Sequence, residues 1–294
     1  MYYCRPNGNL CRRGIMSDSV EYTNIRPQKS LWQQWTLIEA FGQRDLKSKF
    51  SGTALGWLWS LVVPLATLCI YSLVFSIIFR MRVPAMGGPH NRPIFALWFF
   101  AGLILWGFFL NSVNAGMNAL VSSGDLLQKV YFPVYGPVIG AGLAIGVQSL
   151  IEIALLLAVL LFFLNISWTW LLMLPLIACY VVFTWSISVI CAIWNAHIRD
   201  MAHLIGVALQ LLFYLTPIIY PISIVPGAWK GIPLQGIVSN TPFAEFVILF
   251  RNLLYDLTPG AWQQWLAIFL WTGLFLGISV AVYRKYGSDL GEKL

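Results

Sequence analysis

An all-helical membrane protein with six crossings is the fold class this sequence predicts, and three observations predict it. Of the 294 residues, 59% are hydrophobic and only 10% are charged, which lies outside the range of soluble globular domains. Apolar runs of about 20 residues or more, the length a helix needs to cross the hydrocarbon core, recur along the chain. None of them shows the period-two alternation of a membrane barrel, and all are far too long for barrel strands. The net charge of +7 is spread over the termini and the ends of these runs. Membrane orientation explains it better than nucleic acid, which is not an expected partner.

Taken in order, residues 1–30 form a polar tail. Cys4 and Cys11 have no second Cys or His pair beside them, so a zinc site is not expected there. No apolar core follows Arg12-Arg13, so the tail does not read as a signal peptide; Met16 is a second candidate start. Ser30 with Gln33 makes a weak capping box for a helix over 31–49. Leu31, Trp35, Ile38 and Phe41 fall on its apolar face and Gln34, Glu39, Gln43 and Arg44 on the other. A Trp-bearing amphipathic helix followed by Arg44, Lys47 and Lys49 suits the cytoplasmic face of a bilayer; a solvated helix packed on a partner is the competing reading.

A six-helix membrane domain is expected over 50–284, with spans at Ala54–Phe79, Ile94–Ser122, Tyr135–Leu164, Trp168–Ala196, Leu204–Ile222 and Ala261–Tyr283, and a tail over 285–294. With both termini inside, thirteen of the 18 Lys and Arg residues fall on the cytoplasmic side. Five, namely Arg80, Arg82, Arg92, Lys230 and Arg251, fall outside, and that imbalance sets the orientation. Between the last two spans, Thr216–Pro259 carries Pro217, Pro221, Pro226, Pro233, Pro242 and Pro259 around apolar pieces too short to cross. Proline interrupts helices, and irregular backbone survives at membrane depth only when covered. A re-entrant outer hairpin is therefore expected; the apolar run Phe243–Phe250 argues against a plain extracellular loop.

Catalytic motifs are missing. The chain has no G-x-x-x-x-G-K-[ST], H-E-x-x-H or G-x-S-x-G, so neither a phosphate cradle nor a hydrolytic site is expected. Glu152 is the single acidic residue deep in a predicted span, one turn from Gln148. It must face the bundle interior, find a partner or be protonated: either an interhelical hydrogen bond to Ser, Tyr or Gln, or a place on a substrate or proton path. Gly136-x3-Gly140, Gly142-x3-Gly146 and Gly273-x3-Gly277 permit close helix approach, within the chain more readily than across a dimer. Many of the 14 Trp, including Trp57, Trp59, Trp98, Trp168, Trp170 and Trp262, lie near span ends, where an interfacial belt accounts for them. Two polar connections remain on the inner side, Gly124–Pro133 and His197–His203. Beside a chain with no energy source of its own, they read as contacts for a partner that supplies energy.

Several runs carry a family resemblance. Arg44-Asp45-Leu46-Lys47-Ser48-Lys49-Phe50 through Gly56-Trp57-Leu58-Trp59 and Pro64, then Phe100-Ala101-Gly102-Leu103 with Trp106, and Leu126-Leu127-Gln128-Lys129-Val130-Tyr131-Phe132-Pro133 come first. Arg199-Asp200, Leu215-Thr216-Pro217-Ile218-Ile219-Tyr220-Pro221, Asn240-Thr241-Pro242 and Phe250-Arg251 follow in order. Together they resemble type 2 ABC exporter permeases for bacterial polysaccharides, the family of O-antigen, capsule and teichoic acid exporters. The resemblance implies a homodimer in the bacterial cytoplasmic (inner) membrane that joins two ATP-binding subunits and moves a lipid-linked glycan outward, O-antigen being the first choice, teichoic acid the second and capsule the third. No cofactor is expected on this chain; ATP and Mg belong to the partner subunit.

By the same resemblance, Gly124, Asp125, Leu126, Leu127, Gln128, Lys129, Arg199 and Asp200 would couple to the ATPase at a cytoplasmic gate. Lys129 and Tyr131, with Arg44 and Lys47, would meet the substrate head group. Gln148, Glu152, Trp57 and Trp59 would be polar or aromatic groups of the path, and Pro217, Tyr220, Pro221 and Phe246 parts of an outer gate. Two rivals belong to other classes. A membrane-embedded glycan polymerase or ligase would need polar catalytic residues on a large outer loop, and an ion-coupled transporter would need more intramembrane charge.

Overall fold

The computed structural model describes residues 31–50, 56–89, 92–124, 133–198, 200–228, 231 and 233–287. Among them all regular structure is helical. The helices are α1 (Leu31–Phe50), α2 (Trp59–Ser72, continued by a π-helical turn over Leu73–Ile78), α3 (Phe95–Ser122), α4 (Tyr135–Phe162) and α5 (Met173–His197, entered through a 3-10 turn at Trp168–Leu172). They are followed by α6 (Met201–Leu215), α7 (Leu234–Ser239), α8 (Pro242–Leu254) and α9 (Trp262–Tyr286).

Among the described residues, five segments are long and apolar enough to cross a membrane: Leu61–Ile78, Phe95–Ser122, Tyr135–Phe162, Trp168–His197 and Trp262–Tyr286. Each lies on a predicted span, with ends shifted by a few residues. The predicted fifth span differs. Its helix, α6, stops at Leu215 after 15 residues, which rise about 22 Å against a core about 30 Å thick. The cause is local: Pro217 bars the helical region to the residue before it, and Thr216 takes an extended conformation with φ −81 and ψ 135. The run Thr216–Ile222 is therefore not helical span but broken chain. At the C-terminus α9 runs on to Tyr286, past the expected boundary at 284.

The core is aromatic and lies where α3, α5 and α8 meet. Phe109, Phe183, Phe243 and Phe246 are buried there. Phe243 packs at 4.3 Å from Phe109 and 5.2 Å from Phe183, ring centre to ring centre. Such edge-on and tilted pairs add to simple area burial. Polar ties join α3 to α5: the Tyr180 hydroxyl donates to the Leu105 carbonyl at 2.8 Å and Ser188 to the Ser112 carbonyl at 2.9 Å. In a low-dielectric core such groups need partners, and each hydroxyl has one.

Helix α1 is docked, not merely laid on a surface. Ile38 and Phe41 are buried, and Gly42 meets Gly140 of α4 so closely that a Cβ on Gly140 would stand 2.6 Å from the Phe41 Cβ and 2.9 Å from the Ile38 carbonyl oxygen. The apolar face of α1 thus divides: Ile38 and Phe41 face α4, while Trp35 is exposed. Gly142 receives the Trp185 indole, so both glycines serve packing within the chain. Gly273 and Gly277 face open space.

Candidate functional site

At one end of the bundle the start of α4, the end of α5 and the end of α9 come together, through ring contacts of Tyr135 with Tyr283 and of His197 with Tyr286. The two polar connections leave from this end. Gly124 is buried and Asp200 exposed; Asp125, Leu126, Leu127, Gln128, Lys129, Tyr131 and Arg199 lie outside the described residues. Arg44 donates to the carboxylate of its neighbour Asp45 at 3.2 Å and lies over the Phe41 ring. An exposed pair of this kind contributes little stability. Lys47 is exposed on the same helix.

Within the bundle, Glu152 is 7% exposed and accepts a hydrogen bond from the Gln148 side-chain amide at 3.0 Å. This is the partner that a buried carboxyl one turn away requires. Trp59 is largely exposed on the outside of α2. The side chain of Trp57 lies outside the described part.

The opposite end carries the most constructed polar arrangement. Arg251, counted from sequence among the outer loop charges, is 3% exposed inside α8. Its Nε donates to the Trp98 carbonyl at 3.0 Å, one terminal nitrogen to the Pro217 carbonyl at 2.6 Å and the other to the Ile218 carbonyl at 2.7 Å. Its guanidinium carbon lies 3.4 Å from the centre of the Trp98 ring, a cation–π geometry strengthened by exclusion of water. Gly102 makes room: a Cβ there would run into the guanidinium. One cation therefore satisfies carbonyls that the break after α6 leaves without helical partners.

Pro217, Ile218 and Pro221 are buried and Tyr220 is half-buried. The Tyr220 hydroxyl donates back to the Tyr214 and Leu215 carbonyls at 3.1 and 3.2 Å, closing the end of α6. Phe246 is fully buried against Tyr180 and Phe183, which fixes α8 to the core.

The far end of α8 is held as firmly. Its last carbonyls accept from the Thr169 hydroxyl (Leu253, 2.8 Å), the Asn165 amide (Leu254, 2.8 Å) and the Gly87 backbone (Tyr255, 3.0 Å). The Tyr255 hydroxyl donates to the Pro84 carbonyl and accepts from the Ile94 N–H. Helix C-termini leave orphan carbonyls, and the connections between α2 and α3 and between α4 and α5 supply the donors.

A model of ABC-2 type transporters matches residues 36–234. The chain belongs to the ABC-2 type transporter family. It is similar to an O-antigen export system permease protein of Klebsiella pneumoniae, 26% identical over 90% of this chain and 97% of that one. It also resembles an O-antigen export system permease protein of Myxococcus xanthus, 31% identical over 68% of this chain and 74% of that one, and a polysialic acid transport protein of Escherichia coli, 23% identical over 85% and 93%.

In this ABC-2 chain the sequence pointed to Pro217, Tyr220 and Pro221 but missed what holds them. Arg251 was legible as a lone cation in the apolar stretch Phe243–Leu254, which demands a buried partner. Its partners are backbone carbonyls, which have no residue signature. Asn165 and Thr169 gave no signal beyond being polar residues beside a span.

Proposed function

We propose that this chain is the membrane-spanning subunit of an ATP-driven exporter of a lipid-linked polysaccharide, O-antigen in the first instance. The observation that carries this reading is the likeness to O-antigen export permeases over nearly the whole chain. The two polysialic acid transport relatives favour capsular polysaccharide as the second reading. The chain is a homodimer in the inner membrane with both termini cytoplasmic, joined there to two ATP-binding subunits. Two helices support the dimer: α2 and α6 are the least covered by the rest of the chain, exposing Val63, Ile70 and Ile77, and Leu204, Val207 and Leu211. Six crossings follow when the broken chain after α6 completes the fifth, and α7 and α8 with their flanking turns make the re-entrant outer hairpin.

In this reading ATP binding closes the partner subunits and moves the connections at 124–133 and 197–203. Gly124, Asp125, Leu126, Leu127, Gln128, Lys129, Arg199 and Asp200 transmit that movement, and Lys129, Tyr131, Arg44 and Lys47 receive the anionic head group. A ligand shifts such an equilibrium only by its differential affinity for the two states, so the contacts of these loops must change. A long polymer cannot be enclosed in one cavity; a continuous channel with an inner gate and an outer gate at Pro217, Tyr220, Pro221 and Phe246 accommodates it. Gln148 and Glu152 contribute polar groups within the membrane, with Trp57 and Trp59 near its edge. The test is purification of the tagged chain with its chromosomal neighbours. An ABC-type ATPase is expected to co-purify, and deleting either gene should abolish the surface polysaccharide. Export that persists without any ATP-binding subunit overturns the proposal.

A further inference from the structure

The outer end of the molecule is unevenly fastened. On one side stand α8 and the broken chain Thr216–Tyr220. Arg251 ties Pro217 and Ile218 to Trp98 of α3, and Thr169, Asn165 and Gly87 cap the last turn of α8. On the other side stand residues 222–228 and 233–240. Among the described residues, their side-chain hydrogen bonds remain within these stretches: Gln235 to the Ile222 carbonyl, Ser239 and Asn240 to the Gly236 carbonyl. Ile224 and Ile237 are exposed there. Segments with few buried contacts and local hydrogen bonds are the ones that open at low cost.

From this we infer that Arg251 is the positioning residue of the outer closure: it locks the broken end of α6 onto α8. The strut so formed holds Pro217 and Tyr220, residues of the outer gate, in place while the gate is closed. The inference rests on the outer-gate reading above. It also explains Gly102, whose missing side chain leaves room for the guanidinium. Without the cation, the Pro217 and Ile218 carbonyls would be buried and unpaired, and the break would have to open toward water to satisfy them.

The experiment uses the full transporter with its ATPase partner in membranes, nucleotide-free, the native cysteines replaced. Ile219→Cys is the reporter, since Ile219 is 9% exposed. Ser223→Cys, at an exposed position, is the reference. Both are labelled from the outer side with a membrane-impermeant maleimide. In the parent chain the reporter stays protected and the reference labels fully. In Arg251→Met the reporter rate rises about ten-fold or more, the scale expected when charge-assisted hydrogen bonds are lost. Arg251→Lys, which keeps the cation with fewer donors, falls between. Gly102→Ala moves the rate in the same direction with Arg251 intact, so the inference is decided even where Arg251→Met fails to fold. Protection unchanged in both Arg251→Met and Gly102→Ala overturns it. A reporter that labels fully in the parent chain defeats the outer-gate reading itself.

Discussion

Asp256 shows how single residues tune this outer end. It follows α8, five positions after Arg251, and one of its carboxylate oxygens is buried without a hydrogen-bond partner. Burial pushes the carboxyl up to about 6, while Arg251 pulls it down. Between its ordinary value of 3.8 and about 6, the folded chain holds a proton that the unfolded chain has released. Stability therefore falls as pH rises through that window, and the cost is complete above it. Thermal unfolding of the detergent-purified protein should show its midpoint declining from pH 4 to pH 6.5. In Asp256→Asn the decline flattens and the protein gains about 1 kcal/mol at neutral pH, after discounting for solvent screening. An unchanged slope in the variant would assign the pH dependence elsewhere. Glu152 and Arg251 mark how far such residues are legible in sequence. A charge in an apolar run announces that it needs a partner. For Glu152 the sequence reading looked to a neighbouring helix, whereas Gln148 bonds to it one turn away in α4; when the partners are carbonyls of residues 98, 217 and 218, only the folded chain shows them.

At the scale of elements, the long helices were legible because twenty apolar residues in a row have few alternatives in lipid. The fifth span misled for the same reason: hydropathy runs unbroken from Leu204 through Ile222, whereas the backbone obeys Pro217. The glycine pairs told that helices approach closely but not which ones. Gly140 meets α1, and Gly277 meets open space. That contrast gives a paired prediction. Gly140→Leu must displace backbone atoms of α1, and overpacking of this kind costs about 1–3 kcal/mol. Limited proteolysis of membrane vesicles should then release the α1 region faster while the rest of the bundle resists. Gly277→Ala should leave both stability and cleavage at the parent level. Equal behaviour of the two variants would contradict the docking of α1.

The molecule as a whole separates its tasks by end. The end around Arg251 is crowded with satisfied carbonyls and buried rings, and Arg251, buried inside α8, is not the loop charge that the sequence count took it for. The opposite end gathers α1 and the ends of α5 and α9 around two polar connections, in a chain with no phosphate-binding loop. In the proposed function, energy enters there from an ATP-binding subunit and the two connections carry it. Asp125→Ala and Arg199→Ala should reduce export about five-fold or more, the lower range of coupling between sites. Glycan-stimulated ATPase activity should fall in parallel, with membrane insertion and co-purification of the ATPase retained. The pairing of readouts matters: loss of export alone would point to the passage, and loss of co-purification alone to assembly. Coupling is specifically at fault when the ATPase is bound, turns over at its basal rate and no longer responds to glycan. Full stimulation and full export in both variants would show that the energy enters through other surfaces.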